Sequence, residues 1–185
     1  AEAKKDVYVE KPLGKDIEGV KKACDAVKKN NVVVQVGTQL RSMASMTGAR
    51  EVYKTGVLGK VGRIEQHRNE WRPYWYNYVK EVRCEDVDWD EFLMDAPKRP
   101  FDANLYSGWY GYRDYSDGAI PGFGSHFIDL VTYITGAQFP LSSVCQGGTF
   151  TWNDDYKFTC PDHVQATWIY PEGFMVSYTT NCGNS

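Results

Sequence analysis

Apolar residues change their period several times along the chain, and each change predicts an element. Asp6 to Glu10 (DVYVE) sets Val7, Tyr8 and Val9 side by side, the mark of a short strand buried on both faces. Lys11-Pro12-Leu13-Gly14 breaks that run. Ile17, Val20, Cys24 and Val27 then recur at helical spacing, with Asp16 placed to cap the start and Asn30-Asn31 to end it. Val32 to Val36 (VVVQV) predicts a second strand from its β-branched residues. Strand, helix and strand of this length form one βαβ unit with parallel strands. A lone unit cannot cover both faces of its sheet, so the unit is expected to be part of a larger one.

Gly37-Thr38-Gln39-Leu40-Arg41 is a junction. From Ser42 a helix is predicted, with Met46, Ala49, Val52 and Tyr53 on one side and Gly56 as its stop. Gly59 and Gly62 bracket a turn, and Ile64 to Trp71 predicts a half-exposed strand. Residues 72–116 are aromatic and polar without a sustained period, which predicts a long functional loop with short helices. Ser125 to Thr135 predicts a helix whose buried stripe is Phe127, Leu130, Val131 and Ile134, closed by Gly136. Beyond it the pattern is β. Val164 to Tyr170 and Phe174 to Thr180 flank Pro171-Glu172-Gly173, an antiparallel hairpin with its reverse turn. The chain ends at Cys182-Gly-Asn-Ser with no closing element, so the second domain is expected to be cut short.

Composition narrows the function. Thirteen Tyr and six Trp raise aromatic content to 15%, and such rings suit ligands with both polar and apolar faces, sugars among them. A net charge of −3 gives no basic field for nucleic acid. The longest uncharged stretch, Leu130 to Asn153, is broken by Gly, Pro, Gln and Ser and does not read as a membrane span. The opening AEAKKDVYVEKPL lacks the apolar run of a signal peptide. Five scattered cysteines without a CxxC read as reduced thiols rather than a disulfide framework or a metal site. His67 and His163 have no partners at ligand spacing. A cytoplasmic location follows, or an exported one if a leader precedes Ala1.

Three stretches now stand in a telling order: Val9-Glu10-Lys11-Pro12-Leu13 after the first strand, Gly56-Val57-Leu58-Gly59-Lys60-Val61-Gly62 after a helix, and the Gly118–Gly136 run GAIPGFGSHFIDLVTYITG with its G-x-H-x-x-D. Together with VDWDEFL, RPF and YRDYS they resemble the glucose–fructose oxidoreductase/inositol dehydrogenase/MocA family, over nearly the whole chain but only the latter part of a family member. The resemblance implies an α/β plus α+β fold. Residues 1–40 would be the end of a Rossmann domain with a parallel sheet. Residues 41–185 would form a substrate and oligomerisation domain with an open, mostly antiparallel sheet flanked by helices. It also implies NAD or NADP as cofactor and a homo-oligomer paired through the antiparallel sheet. No G-x-G-x-x-G stands between a strand and a helix here, so that fingerprint is expected upstream of Ala1.

The same resemblance assigns Lys11 and His126 to catalysis. An ammonium at a strand end can stabilise a developing alkoxide, and a histidine titrates near neutral pH and can take a hydroxyl proton. Glu10, Lys11, Pro12, Gln39 and Arg41 lie at strand ends where open α/β sheets bind ligands, and are expected to touch the cofactor. Arg41 reads equally well as half of a salt bridge across the junction. Arg72, Trp109, Arg113 and Asp129 are the expected substrate contacts, because rings and guanidinium forks suit a sugar or sugar acid. Many family members have an acid four residues before the histidine, whereas this chain has Gly122. The leading reading is a sugar or polyol dehydrogenase as the full-length parent, with this piece inactive alone. The alternatives are an NAD-dependent glycosidase of the same fold and a non-catalytic sugar- or nucleotide-sensing or oligomerisation fragment.

Overall fold

A computed structural model describes residues 1–183. Strands β1 (Val7–Glu10) and β2 (Val34–Gly37) pair in parallel, Val7 opposite Val34 and Glu10 opposite Gly37. Helix α1 (Ile17–Asn30) crosses between them, so the predicted βαβ unit forms. Asp16 caps α1, its Oδ1 accepting from the Gly19 amide at 2.6 Å, and Asn31 ends it in the left-handed region. The apolar face of this unit stays open: α1 buries none of its residues, and Ile17 is 77% exposed.

The junction tightens into a 3₁₀ turn at Gln39–Ser42 before α2 (Ala44–Lys54) begins, so the helix starts slightly later than the apolar spacing predicts. Residues 72–116 contain two short helices, α3 (Trp89–Leu93) and α4 (Ala103–Ser107), capped by Asp88 and Asp102, and 3₁₀ turns that include Tyr74–Asn77 and Trp109–Gly111. Their rings pack into a small core around Trp75, Tyr76 and Cys160, joined by Tyr74, Tyr110, Trp152, Tyr156 and Phe158. That packing orders a segment which, lacking a single period, reads as loop.

A second, larger sheet is mixed, with β3 (Arg63–Glu70), β4 (Ser142–Gly148), β5 (His163–Ile169) and β6 (Met175–Cys182) in the order β3-β6-β5-β4. The expected hairpin is β5–β6, closed at Ile169 opposite Met175, with Gly173 at φ +87° in its turn. β3 lies parallel to β6, and β4 extends the other edge antiparallel to β5. Helix α5 (Ser125–Thr135) lies against this sheet. Phe127 and Val131 join Tyr170, Phe174, Val176 and Tyr178 in the core, while Leu130 and Ile134 are only half-buried. The α5 stripe is thus shared between the sheet and α2, which α5 also meets. A π-helical turn, Ile120–Gly124, leads into α5.

One buried carboxylate organises the β4–β5 connection. Asp162 is 1% exposed and accepts the amides of Phe150, Thr151 and Trp152 at 2.7–2.9 Å and the His163 ring at 2.7 Å. Burial alone would raise its pKa; His163 and those amides hold it below the usual carboxylate range. Among the described residues no helix is long and apolar enough to cross a membrane.

Candidate functional site

The end of β1 and the start of α5 meet. Lys11, one residue past β1, donates from Nζ to the Gly122 carbonyl at 2.6 Å and to Ser125 Oγ at 3.4 Å. The two partners are 111 and 114 positions away in sequence, so the contact joins the βαβ unit to the turn before α5. Gly122 lies within the π-helical turn, and turns of this kind open the backbone ladder and recur at functional sites. Neither acceptor is charged. Lys11 therefore loses water without gaining a carboxylate, and burial lowers its pKa below the ordinary lysine value.

His126 follows on the first turn of α5. Burial lowers its pKa, the Lys11 and Arg68 cations push the same way, and Asp129 opposes them. The ring is therefore neutral at neutral pH and able to accept a proton. Phe123 stands edge-on to it at 5.8 Å between centroids, and the Arg68 guanidinium lies 3.2 Å above the Phe123 ring. Arg68 also meets Tyr74 and pairs with Glu70 at 2.5 Å.

Arg41 and Asp129 bind each other. The guanidinium forks onto the carboxylate at 2.8 Å (Nε to Oδ2) and 2.5 Å, which ties the 3₁₀ turn after β2 to α5 and raises the Arg41 pKa. Arg41 also stands 5.3 Å from the Tyr133 ring. A groove of about 600 Å³ runs along β2, lined in part by Tyr8, Val36, Gly37, Gln39, Arg41 and Asp129. Glu10 ends β1 beside Gly37, and Pro12 follows Lys11. Lys11 thus reaches the turn just before His126, while Gln39, Arg41 and Asp129 line the groove along β2.

The other expected contacts, Arg72, Trp109 and Arg113, lie around the aromatic core and outside it, Arg113 being exposed. Arg72 sits 4.3 Å from the Trp71 ring and donates to Asn77 at 2.8 Å. Trp109 stacks on Tyr110 at 3.8 Å, and Tyr110 meets Tyr74, which links this cluster to Gly122. The Arg113 amide donates to Thr159 at 2.8 Å. None of the hydrogen bonds or ring contacts of Arg72 and Arg113 among the described residues reaches Lys11 or His126. Sequence reasoning passed over Arg68, Tyr74, Phe123 and Ser125. Only the position of Phe123 and Ser125 beside His126 could have drawn attention to them; Arg68 and Tyr74 arrive by tertiary packing alone.

Residues 43–144, over half of the chain, match the model of an oxidoreductase family's C-terminal alpha/beta domain. No curated protein matches the chain in sequence. Among solved structures, the WlbA dehydrogenase from Bordetella pertussis, in complex with NADH and UDP-GlcNAcA, is 18% identical with a TM-score of 0.67, covering 99% of this chain and 46% of that one. An oxidoreductase domain protein from Kribbella flavida is also 18% identical, with a TM-score of 0.66 and coverage of 97% and 43%. At these identities the likeness is one of fold. The chain spans between 38% and 46% of the length of such structures.

Proposed function

The chain belongs to the Gfo/Idh/MocA oxidoreductase family, and we propose that it is the reacting side of an NAD(P)-dependent dehydrogenase acting on a hydroxyl of a sugar, sugar derivative or cyclitol. The observation that carries the reading is that Lys11, from the start of the chain, binds the turn leading directly into His126, near enough for its charge to help lower the histidine's pKa. Two solved relatives support the cofactor and substrate class: one has NADH and UDP-GlcNAcA bound, and another, from Desulfitobacterium hafniense, is described as NADPH-dependent.

The residues present fit the nicotinamide end of such a cofactor. Glu10 and Gly37 stand side by side at the C-terminal edge of a parallel pair, the edge at which open α/β sheets bind ligands. Gly37 closes tightly there, since a Cβ would lie 3.1 Å from Tyr8 Oη. Lys11, Pro12, Gln39 and Arg41 would line this end. No glycine-rich phosphate run occurs between a strand and a helix in the sequence.

When bound, the nicotinamide supplies a hydride acceptor or donor. The chain's own residues handle the proton. His126, held neutral by partial burial and by the Lys11 charge, takes the hydroxyl proton as the carbinol C–H leaves as hydride. The Lys11 ammonium donates to Gly122 and Ser125 and has a third N–H left for the alkoxide oxygen. In the reverse direction His126 returns the proton.

Turnover of the full-length parent on a polyol panel tests this reading. His126→Ala should lower kcat by about 10²–10⁴, and Lys11→Ala should lower kcat more than it raises KM. Unchanged turnover in both variants would overturn the mechanism. The reading includes subunit pairing through the mixed sheet, supported by the exposure of edge strand β4 from Ser142 to Gly147. Val144→Lys should shift the mass seen by light scattering towards the monomer.

A further inference from the structure

The π-helical turn that holds Lys11 leans on a residue from the aromatic segment. A Cβ on Gly122 would lie 2.6 Å from Tyr74 Oη and 3.9 Å from Tyr74 Cζ. The hydroxyl therefore stands where a side chain at position 122 would begin. Its ring is held on several sides: edge-on to Trp75 at 5.3 Å and Tyr110 at 5.6 Å, tilted to Phe123 at 5.8 Å, with Arg68 at 5.3 Å. The hydroxyl itself is fully buried and has no hydrogen-bond partner among the described residues. Burial keeps it protonated, since it raises the phenol well above its ordinary pKa.

A buried hydroxyl without a partner costs stability, where a Phe of the same shape would not. A tyrosine kept only to fill the core gains nothing from this oxygen. The oxygen stands in the space a side chain at Gly122 would occupy, and the carbonyl of Gly122 holds the Lys11 ammonium. We infer that Tyr74 is a positioning residue for Lys11: its hydroxyl braces Gly122 and so fixes the carbonyl that aims the ammonium at the substrate. The pair also explains why position 122 is glycine, because any side chain there would displace the hydroxyl. The inference rests on the proposed role of Lys11, but its test does not need turnover.

The test compares the chain with Tyr74→Phe, Gly122→Ala and the double variant, by thermal unfolding and by the pH profile of Lys11 acylation with acetic anhydride, read by mass spectrometry. Gly122→Ala should lower the midpoint by several degrees. The double variant should recover most of that loss, because its Cβ would meet Cζ at an ordinary 3.9 Å. Tyr74→Phe alone should leave the midpoint unchanged or raised, yet slow Lys11 acylation at pH 8 by about threefold, because a loosened turn lets water back to the ammonium and restores its charge. A Tyr74→Phe chain with an unaltered acylation profile would overturn the inference. So would a double variant no better than Gly122→Ala. A dehydrogenase reading that failed for want of turnover would leave both readouts intact, so the two failures are distinguishable.

Discussion

The βαβ unit and the mixed-sheet domain carry equally clear apolar patterns, yet they end up in different states. In β6, Val176, Ser177, Tyr178, Thr180 and Cys182 are buried, and α5 adds Phe127 and Val131. Through residues 1–41 only Gly37 is buried, and Tyr8, Ile17 and Val33 are 66%, 77% and 69% exposed. The α1 and α5 stripes both predict helices, but only α5 buries side chains against a sheet of this chain. Periodicity thus identifies the face an element will bury and is silent on what covers it.

Substitutions can sharpen that contrast. The largest loss is expected in the mixed-sheet domain from Asp162→Ala, which strands three backbone amides and should cost about 3–4 kcal/mol by denaturant titration. The same carboxylate sets an acid limit. Its pKa is lower in the folded chain than in the unfolded one, so its stabilisation is complete above about pH 4. That contribution is lost as pH falls through the lower folded value, and Asp162→Asn should flatten the decline. Val176→Ala, at a fully buried site, should cost about 2 kcal/mol. Arg41→Ala removes a pair that is 43% exposed on the arginine side and should cost about 0.5 kcal/mol, with hydrogen exchange rising mainly around Gln39–Ser42. Ile17→Ser should change stability by less than about 0.5 kcal/mol in this chain. A cost near that of Val176→Ala would mean that α1 is covered after all and would break the comparison.

Local rules made most elements legible. Asp16 and Asn31 bound α1, Gly136 closes α5, and Gly173 turns the hairpin, each for a reason that lies within a few residues. The 3₁₀ turn at Gln39–Ser42 was not legible, because the spacing of Met46, Ala49 and Val52 fixes a helix face and not its first residue. The turns around Trp75 escaped for another reason: rings from residues 74–78, 109–112 and 152–158 order one another only across the fold. The site divides in the same way. The EKP segment and G-x-H-x-x-D drew attention to Lys11 and His126, but the bond from Lys11 to Gly122, four residues before the histidine, is tertiary. Arg41 read equally as a ligand contact or as half of a salt bridge across the junction; its partner, Asp129, 88 residues away, is set by the fold.

The parallel pairing of β3 with β6 places Arg63 opposite Met175 and Glu70 opposite Cys182. On a ribosome β3 emerges early, and its partner is not made until the aromatic segment, α5, β4 and β5 have all been synthesised. Pairing so distant in sequence raises contact order and slows folding. The waiting strand exposes unpaired amides and carbonyls throughout that interval, an invitation to aggregate. Arg63, Glu65, His67, Arg68 and Glu70 space charge or polarity along it, with Ile64 its one aliphatic side chain. β3 thus acts as its own gatekeeper, soluble enough to wait for the last strand of its sheet.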